Sequence, residues 1–390
     1  MRVLLAHSVY DRSQPSGENA FVADLAVSLR ARGCEVSNLE LEVADWSATR
    51  KVLTWINVVS GSSGLAEVMS EVRRFQPDVV HFNNVFPLIS PVLFRKLEKL
   101  GVPTVMTLHN YRLGCLNGLC FRSGEICQRC VTRRFAIPGI AFGCYRGSRI
   151  GSVAMAIHRW RLLRNLNHVS RLLPVTELVG RKAVEAGASP TRVRVTRNFP
   201  ESRSTVSCGP PESIGKPLRV LFAGRLTVEK GIRFLLDSTT KADTIDLEVV
   251  IVGSGPLESE VSARAAVDRR ISFLGKVAST EVGQLISASD LVVIPSLWFE
   301  ADPLIIHEAL SRGVAPVVFE HSAAAASLGS TPELVAPATP EGLMNLFQTF
   351  AENRELLREV TRRAVQSYDE AFDPVTDQIL RHYESVTSGE

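Results

Sequence analysis

Glu300 and Glu308 stand eight residues apart in PSLWFEADPLIIHEALSRGVAPVV (Pro295–Val318). The run ending at Pro295 is apolar enough for a buried strand, the segment around Glu300 reads as a loop, and a helical period begins near Pro303. Proline suits a first helical turn, where an N–H would lack a partner anyway. One carboxylate before a helix and one inside it can face the same space and accept paired hydrogen bonds from vicinal hydroxyls. The helix start, with Asp302, Pro303 and Leu304, adds backbone N–H donors and a positive field for a phosphate. Two glutamates at this spacing are weak on their own; the strand, the proline and Gly313 around them sharpen the pattern.

Other residues suggest further chemistry. FAGRLTVEKG (Phe222–Gly231) places Gly224, Arg225 and Lys230 where a strand turns into a helix, a position the helix dipole makes mildly unfavourable for cations. VGSGP, with Gly253 and Gly255, follows an apolar strand but does not complete a GxGxxG phosphate loop. His109 ends an apolar run, with Asn110, Tyr111 and Arg112 behind it. Cys115, Cys120, Cys127, Cys130 and Cys144 fall within thirty residues, and Cys127-Gln-Arg-Cys130 has the spacing at which two thiolates can share a tetrahedral zinc. Free or redox-active thiols are the alternative.

Elements at regular intervals must position these groups. In the first half, strands are expected at Arg2–His7, Asp78–Phe82, Val102–Leu108, Leu172–Thr176 and Arg192–Thr196. Helices are expected at Glu18–Gly33, Ile89–Leu100 and Glu177–Ala186. The second half reads as strands at Leu218–Ala223, Leu247–Val252, Ile271–Leu274, Leu291–Pro295 and Val314–Val318 with helices between, then helices over Thr339–Tyr368 and Pro374–Tyr383. Strand, helix, strand in succession requires right-handed crossovers and a parallel sheet covered on both faces. The fold class is therefore α/β, with two Rossmann-like domains expected at 1–200 and 218–370. A Ser-, Pro- and Gly-rich linker occupies 201–217, and a terminal helix lies within 371–390. The irregular segment 110–147 is uncomfortably long unless something pins it. Two such sheets facing one another make a cleft at their carboxyl edges, where ligands bind in folds of this kind.

Composition narrows the function. The chain has 390 residues, 45% hydrophobic and 22% charged, as a soluble globular protein of two or three domains would. No apolar run reaches the length of a membrane span. The opening MRVLLAHSV reads as a strand rather than a secretory signal, and seven cysteines without an export signal point to the reducing cytoplasm. The net charge of +3 hides an asymmetry: residues 1–200 carry 27 Lys and Arg against 14 Asp and Glu, and residues 101–200 carry 16 against 3. Such a field attracts anionic ligands or surfaces. Within it, Gly151–His168 reads as a helix with His158, Arg161, Arg164 and His168 on one arc. That arc suits either an anionic membrane surface or an ordinary helix with its apolar side in the core.

The sequence resembles the retaining, nucleotide-sugar-dependent GT-B glycosyltransferases known as glycosyltransferase family 4, or glycosyl transferases group 1. The resemblance rests on SGENAFVADLAVSLRARGCEV, PDVVHFNN, VPTVMTLHNYRLGC, FAGRLTVEKG and the Glu300–Glu308 block, which together cover nearly the whole chain. It implies that Arg225 and Lys230 hold the donor diphosphate, Glu308 the ribose and Glu300 the donor sugar. It also implies that His109 contacts that sugar, Gly17 approaches the phosphate, and Gly253, Gly255 and Lys276 lie near the nucleotide. Asn110, Tyr111 and Arg112 would line the acceptor side, while His81 reads as a core-edge residue. A subset of the family shares the cysteine pattern, implying a structural zinc on Cys115, Cys127, Cys130 and Cys144 with Cys120 spare. The implied reaction moves a hexose from a UDP- or GDP-sugar to a glycan or lipid-linked acceptor, with no cofactor required and no DxD motif evident. The chain departs from the family in carrying only Gly17 where two adjacent glycines are usual, and FEHSAAAAS after Val318. The rivals are a sugar-nucleotide epimerase of the same fold and an inactive glycan-binding or nucleic-acid-binding protein, though no recognition-helix or finger spacing supports nucleic acid.

Overall fold

The computed structural model describes residues 1–9, 17–42, 48–200, 216–241, 245–328 and 331–389. The chain divides into two compact units. The first comprises Met1–Cys120, Cys127–Glu201 and Pro374–Glu390; the second comprises Phe121–Ile126 and Ser202–Asp373.

Up to residue 200 the elements are β1 (Arg2–Val9), α1 (Gly17–Ala31), β2 (Glu35–Glu42), α2 (Ala48–Ser60), α3 (Leu65–Phe75), β3 (Val79–Phe82), α4 (Val92–Lys99) and β4 (Thr104–Leu108). There follow a hairpin of β5 (Phe121–Arg122) and β6 (Glu125–Ile126), then α5 (Ile137–Ala141), α6 (Arg149–Asn165), β7 (Arg171–Pro174) and α7 (Glu177–Glu185). The main sheet of this unit is parallel throughout, in the order β2-β1-β3-β4-β7. Its central strands are apolar runs buried on both faces, and α1 covers one face with Phe21, Val22, Leu25, Ala26 and Leu29 at helical spacing.

The second unit holds β8 (Leu218–Ala223), α8 (Ile232–Lys241), β9 (Leu247–Val252), α9 (Glu258–Val267), β10 (Ile271–Gly275), α10 (Ser279–Ser287), β11 (Leu291–Ile294), α11 (Leu304–Ser311), β12 (Ala315–Phe319), β13 (Val335–Ala336), α12 (Pro340–Glu352) and α13 (Arg354–Glu370). Its sheet is parallel in the order β10-β9-β8-β11-β12-β13, so the winding reverses between β8 and β11. That reversal is the switch point at whose carboxyl strand ends ligands bind in sheets of this kind.

The last helix, α14 (Val375–Ser388), belongs to the first unit. Val375, Ile379 and Tyr383 enter one apolar cluster with Val3, Leu5, Leu25 and Leu29, and Asp377 pairs with Arg32 at the end of α1. Burial of apolar side chains of this size stabilises a fold by about 1.5–3 kcal/mol each.

Four features differ from the sequence reading. Glu35–Glu42 is a strand although EVSNLELE is polar at five of its eight positions, because it lies at the sheet edge and pairs with β1 alone. The strand expected at Arg192–Thr196 is reduced to one bridge, Leu172 to Val193, after a single 3-10 turn at Pro190–Arg192. Thr339–Tyr368 is two helices, broken at Asn353, whose Oδ1 accepts the Leu356 N–H at 2.9 Å and caps α13. Segment 110–147, expected to lack regular structure, contains the β5–β6 hairpin and α5. Residues 201–215 of the expected linker lie outside the described residues.

Candidate active site

In the second unit, the carboxyl ends of β8, β9 and β11 bring together three loops that only glycine lets approach so closely. Gly231 has φ +70°, and a Cβ there would stand 1.7 Å from the Pro295 carbonyl oxygen. Gly253 has φ +140°, and a Cβ there would stand 1.8 Å from the Gly224 oxygen. The Leu297 N–H donates to the Glu229 carbonyl at 2.8 Å, and Leu226 N–H to Ser254 at 2.9 Å, so the loops are tied backbone to backbone. Any side chain at Gly231 or Gly253 would force them apart.

On this floor Glu300 is buried, and its Oε2 accepts from Lys230 Nζ at 2.6 Å, Ser296 Oγ at 2.6 Å and Trp298 Nε1 at 3.0 Å. Those three donors meet one oxygen, which leaves Oε1 as the acceptor for a ligand. Lys230 also lies 5.6 Å from the Trp298 ring centroid. Arg225 sits half-exposed with its Nη2 3.4 Å from Glu229 Oε1. Sequence reasoning found Lys230 and Glu300 but missed Ser296 and Trp298, which sit beside Glu300 in PSLWFE.

Glu308 lies on α11, one helix turn past the capping position, and burial pushes its carboxyl above the usual carboxylate range. Among the described residues it has no hydrogen-bonding partner at that carboxylate. Pro303, expected in the first helical turn, is instead the residue that caps α11, with Leu304 first inside. Asp302, just before α11, turns its Oδ1 to Nε2 of His307 on that helix at 2.9 Å, a pairing the sequence reading did not include. Lys276 follows β10 as an exposed side chain, next to Gly275, whose carbonyl accepts from Gly253 N–H.

In the first unit, β3 and β4 end beside a pocket that opens to solvent. Asn83, Phe86, Thr107, His109, Asn110 and Arg112 are among its lining residues. His109 Nε2 meets Asn83 Oδ1 at 3.3 Å, and its ring packs edge-on against Phe21 at 4.7 Å. Asn110 Nδ2 donates to the Glu18 carboxylate on α1, and Asn110 Oδ1 accepts the Arg112 N–H at 3.0 Å. Tyr111 is buried and its N–H donates to Gly118, so it serves the loop rather than its rim. Gly17 is the first residue of α1; Ser16 before it lies outside the described residues. His81 is wholly buried between Tyr383 Oη at 2.6 Å and Thr107 Oγ1 at 2.7 Å, and burial drives its imidazole down to about 3, so it stays neutral.

Among the described residues no three His, Cys, Asp or Glu side chains are grouped to hold a metal. Of the cysteines expected to share a zinc, Cys115, Cys127, Cys130 and Cys144, Cys115 donates its thiol hydrogen to Asn117 Oδ1 at 3.0 Å and Cys130 is buried. The loop is gripped by Arg159, fully buried on α6, which donates to the carbonyls of Leu113 at 2.7 Å, Arg133 at 2.9 Å and Cys130 at 3.2 Å. On the same helix, His158 is buried with Nε2 3.0 Å from the Ile89 carbonyl, and Arg161 donates to the Val58 carbonyl at 3.0 Å. These two side chains of the expected arc face the protein, whereas Arg164 is exposed with its guanidinium 4.7 Å from the Trp160 centroid. No described helix is long and apolar enough to cross one.

Two family models match in succession: the glycosyl transferase 4-like domain over residues 16–198 and glycosyl transferases group 1 over residues 217–353. The chain is 24% identical to sulfoquinovosyl transferase SQD2 of Arabidopsis thaliana over 326 residues, 78% of this chain and 56% of that one. It thus spans about half the length of that relative, and less than half of others it matches in part. It is also 24% identical to the phosphatidyl-myo-inositol mannosyltransferase of Mycobacterium leprae, over 97% of this chain and 96% of that one. Among solved structures, HepE of Anabaena in complex with UDP-glucose superposes with a TM-score of 0.66 at 18% identity, over 100% of both chains. Likeness at that identity establishes the fold, which is GT-B.

Proposed function

Because the chain belongs to the glycosyltransferases that pair a glycosyl transferase 4-like domain with a group 1 domain, we propose that it transfers a sugar from a UDP-sugar to a glycan or lipid-linked acceptor, with retention at the anomeric carbon. The observation that carries this reading is the Lys230–Glu300 pair beside Arg225, set where the second sheet reverses its winding. The preference for uridine over guanosine draws on the UDP and UDP-glucose bound to HepE.

In this reading Arg225 and Lys230 hold the diphosphate. The bond from the anomeric carbon to the phosphate oxygen breaks, and the acceptor oxygen forms its bond on the same face. The acceptor proton passes to the departing phosphate oxygen. Charge builds on the diphosphate as that bond breaks, and fixed cations stabilise it without having to reorganise. Glu300, oriented by Ser296 and Trp298, presents Oε1 to sugar hydroxyls, and Glu308 accepts from the ribose. Charge neutralisation is assigned to these side chains, with no metal required. The test is incubation with UDP-glucose and other nucleotide sugars alongside glycoside acceptors, followed by mass spectrometry and proton NMR of the new anomeric centre. An axial donor giving an axial product supports the reading; inversion, or UDP-sugars that neither bind nor react, would overturn it.

A further inference from the structure

The pocket in the first unit is built for something its own residues do not supply. Asn83 is buried, 4% exposed, with its Oδ1 occupied by His109. Its Nδ2, a donor lining that pocket, has no hydrogen-bond partner among the described residues. Arg112 lines the same pocket, and its buried Nε is likewise without a partner. The arginine is wedged between backbone and ring: a Cβ on Gly118 would stand 2.9 Å from its Cγ, and its guanidinium lies 5.6 Å from the Phe86 centroid. No carboxylate among the described residues pairs with Arg112, and Glu18, which reaches the same rim, is engaged by Asn110.

Buried donors left without acceptors cost free energy, and proteins rarely tolerate two at one pocket without use. A guanidinium with nothing opposite it adds full positive charge, and the surrounding hundred residues carry 16 Lys and Arg against 3 Asp and Glu. Burial holds His158, which lies near Arg112, down at about 4, so that ring stays neutral. Both unsatisfied groups are donors, so the missing partner is an acceptor, and the charge makes it anionic.

We propose that the pocket lined by Asn83, His109 and Arg112 is an oxyanion subsite, and that the acceptor carries a carboxylate or phosphate seated there by Arg112 and the Asn83 amide. This rests on the glycosyltransferase reading for the word acceptor; the anion site itself does not. Guanidinium is the side chain suited to either group, since its planar fork matches two oxygens at once.

The test is a titration followed by ligand-observed NMR, with glucose, glucuronate and glucose 6-phosphate as probes and no donor present. Both charged sugars should bind the wild-type chain at least tenfold more tightly than glucose, and which of them binds better tells carboxylate from phosphate. Arg112→Gln should erase the preference and Arg112→Lys should keep part of it. Asn83→Asp, which retains the oxygen facing His109 but replaces the donor with a negative charge, should abolish it in a chain that melts normally. Equal binding of charged and neutral sugars, no binding of any, or an undiminished preference in Asn83→Asp overturns the proposal. UDP binding to the wild-type chain is scored separately, so failure of the donor reading and failure of the anion site give different results.

Discussion

In the C-terminal unit, Lys230 and Arg225 each have a counter-charge beside them, whereas in the N-terminal unit Arg112 and Asn83 face a pocket with donors that the protein leaves unanswered. The first arrangement fixes its charges before any ligand arrives. Lys230 cannot wander, because Glu300 is itself held by Ser296 and Trp298. The second keeps a shape but leaves its charge open. A preset site suits a ligand part that is always the same, such as a diphosphate, and an open one takes its complement from a more variable partner.

The comparison can be broken most decisively at Lys230. Lys230→Ala should lower kcat by about 10²-fold or more, as loss of a charge-stabilising contact does. It should also destabilise the fold, because Glu300 is left buried without its cation. Lys230→Ala with Glu300→Gln should regain much of the melting temperature and none of the turnover; steady-state kinetics beside calorimetry would show it. Near-normal turnover in Lys230→Ala would end the assignment of that charge.

Arg159→Met comes next, and it tests the other unit alone. Removing the guanidinium leaves the carbonyls of Leu113, Arg133 and Cys130 without their donor, so a loss of about 3 kcal/mol is expected in denaturant unfolding. UDP affinity, which the proposed function assigns to the other unit, supplies the contrast.

Acid should separate the units further. His81 is held neutral, its affinity for a proton lowered from 6.5 to about 3, so the unfolded chain binds the proton first. Its contribution to stability is full above pH 6.5 and is lost progressively as pH falls toward 3. Melting temperatures measured from pH 7 to 5 should fall, and His81→Gln should flatten that slope.

The smallest effect is at Glu308. Burial raises its carboxyl, so the acceptor form needed for a hydroxyl is lost at a higher pH than for an ordinary glutamate. UDP affinity should drop a few-fold as pH is lowered toward that range, and Glu308→Gln should be weaker throughout but flat with pH.

Much of this could be read in the sequence, for physical reasons. Strands such as LRVLFA and LEVVIV are apolar on both faces because helices cover both, and the observed β8 and β9 match the reading residue for residue. The Pro303 start of α11 and the glycines of FAGRLTVEKG and VGSGP were legible because tight backbone approach admits so few residue types. What escaped depends on distant partners. EVSNLELE hides a strand because an edge position asks for no continuous apolar run. Nothing local marks Arg159 within the helix Gly151–His168, yet it is a buried anchor whose partners are carbonyls up to 46 residues away. The unsatisfied amide of Asn83 leaves no trace in sequence at all.

The position of α14 has a consequence for how the molecule is made. Its apolar side fills the cluster around Val3 and Leu25, so the first unit to emerge from a ribosome lacks part of its interior until residues 375–388 follow. Domains generally fold as units during synthesis, N-terminal first. Here the early half must wait, partly formed, through the whole translation of its neighbour, and a stop before residue 375 would cripple the half made first.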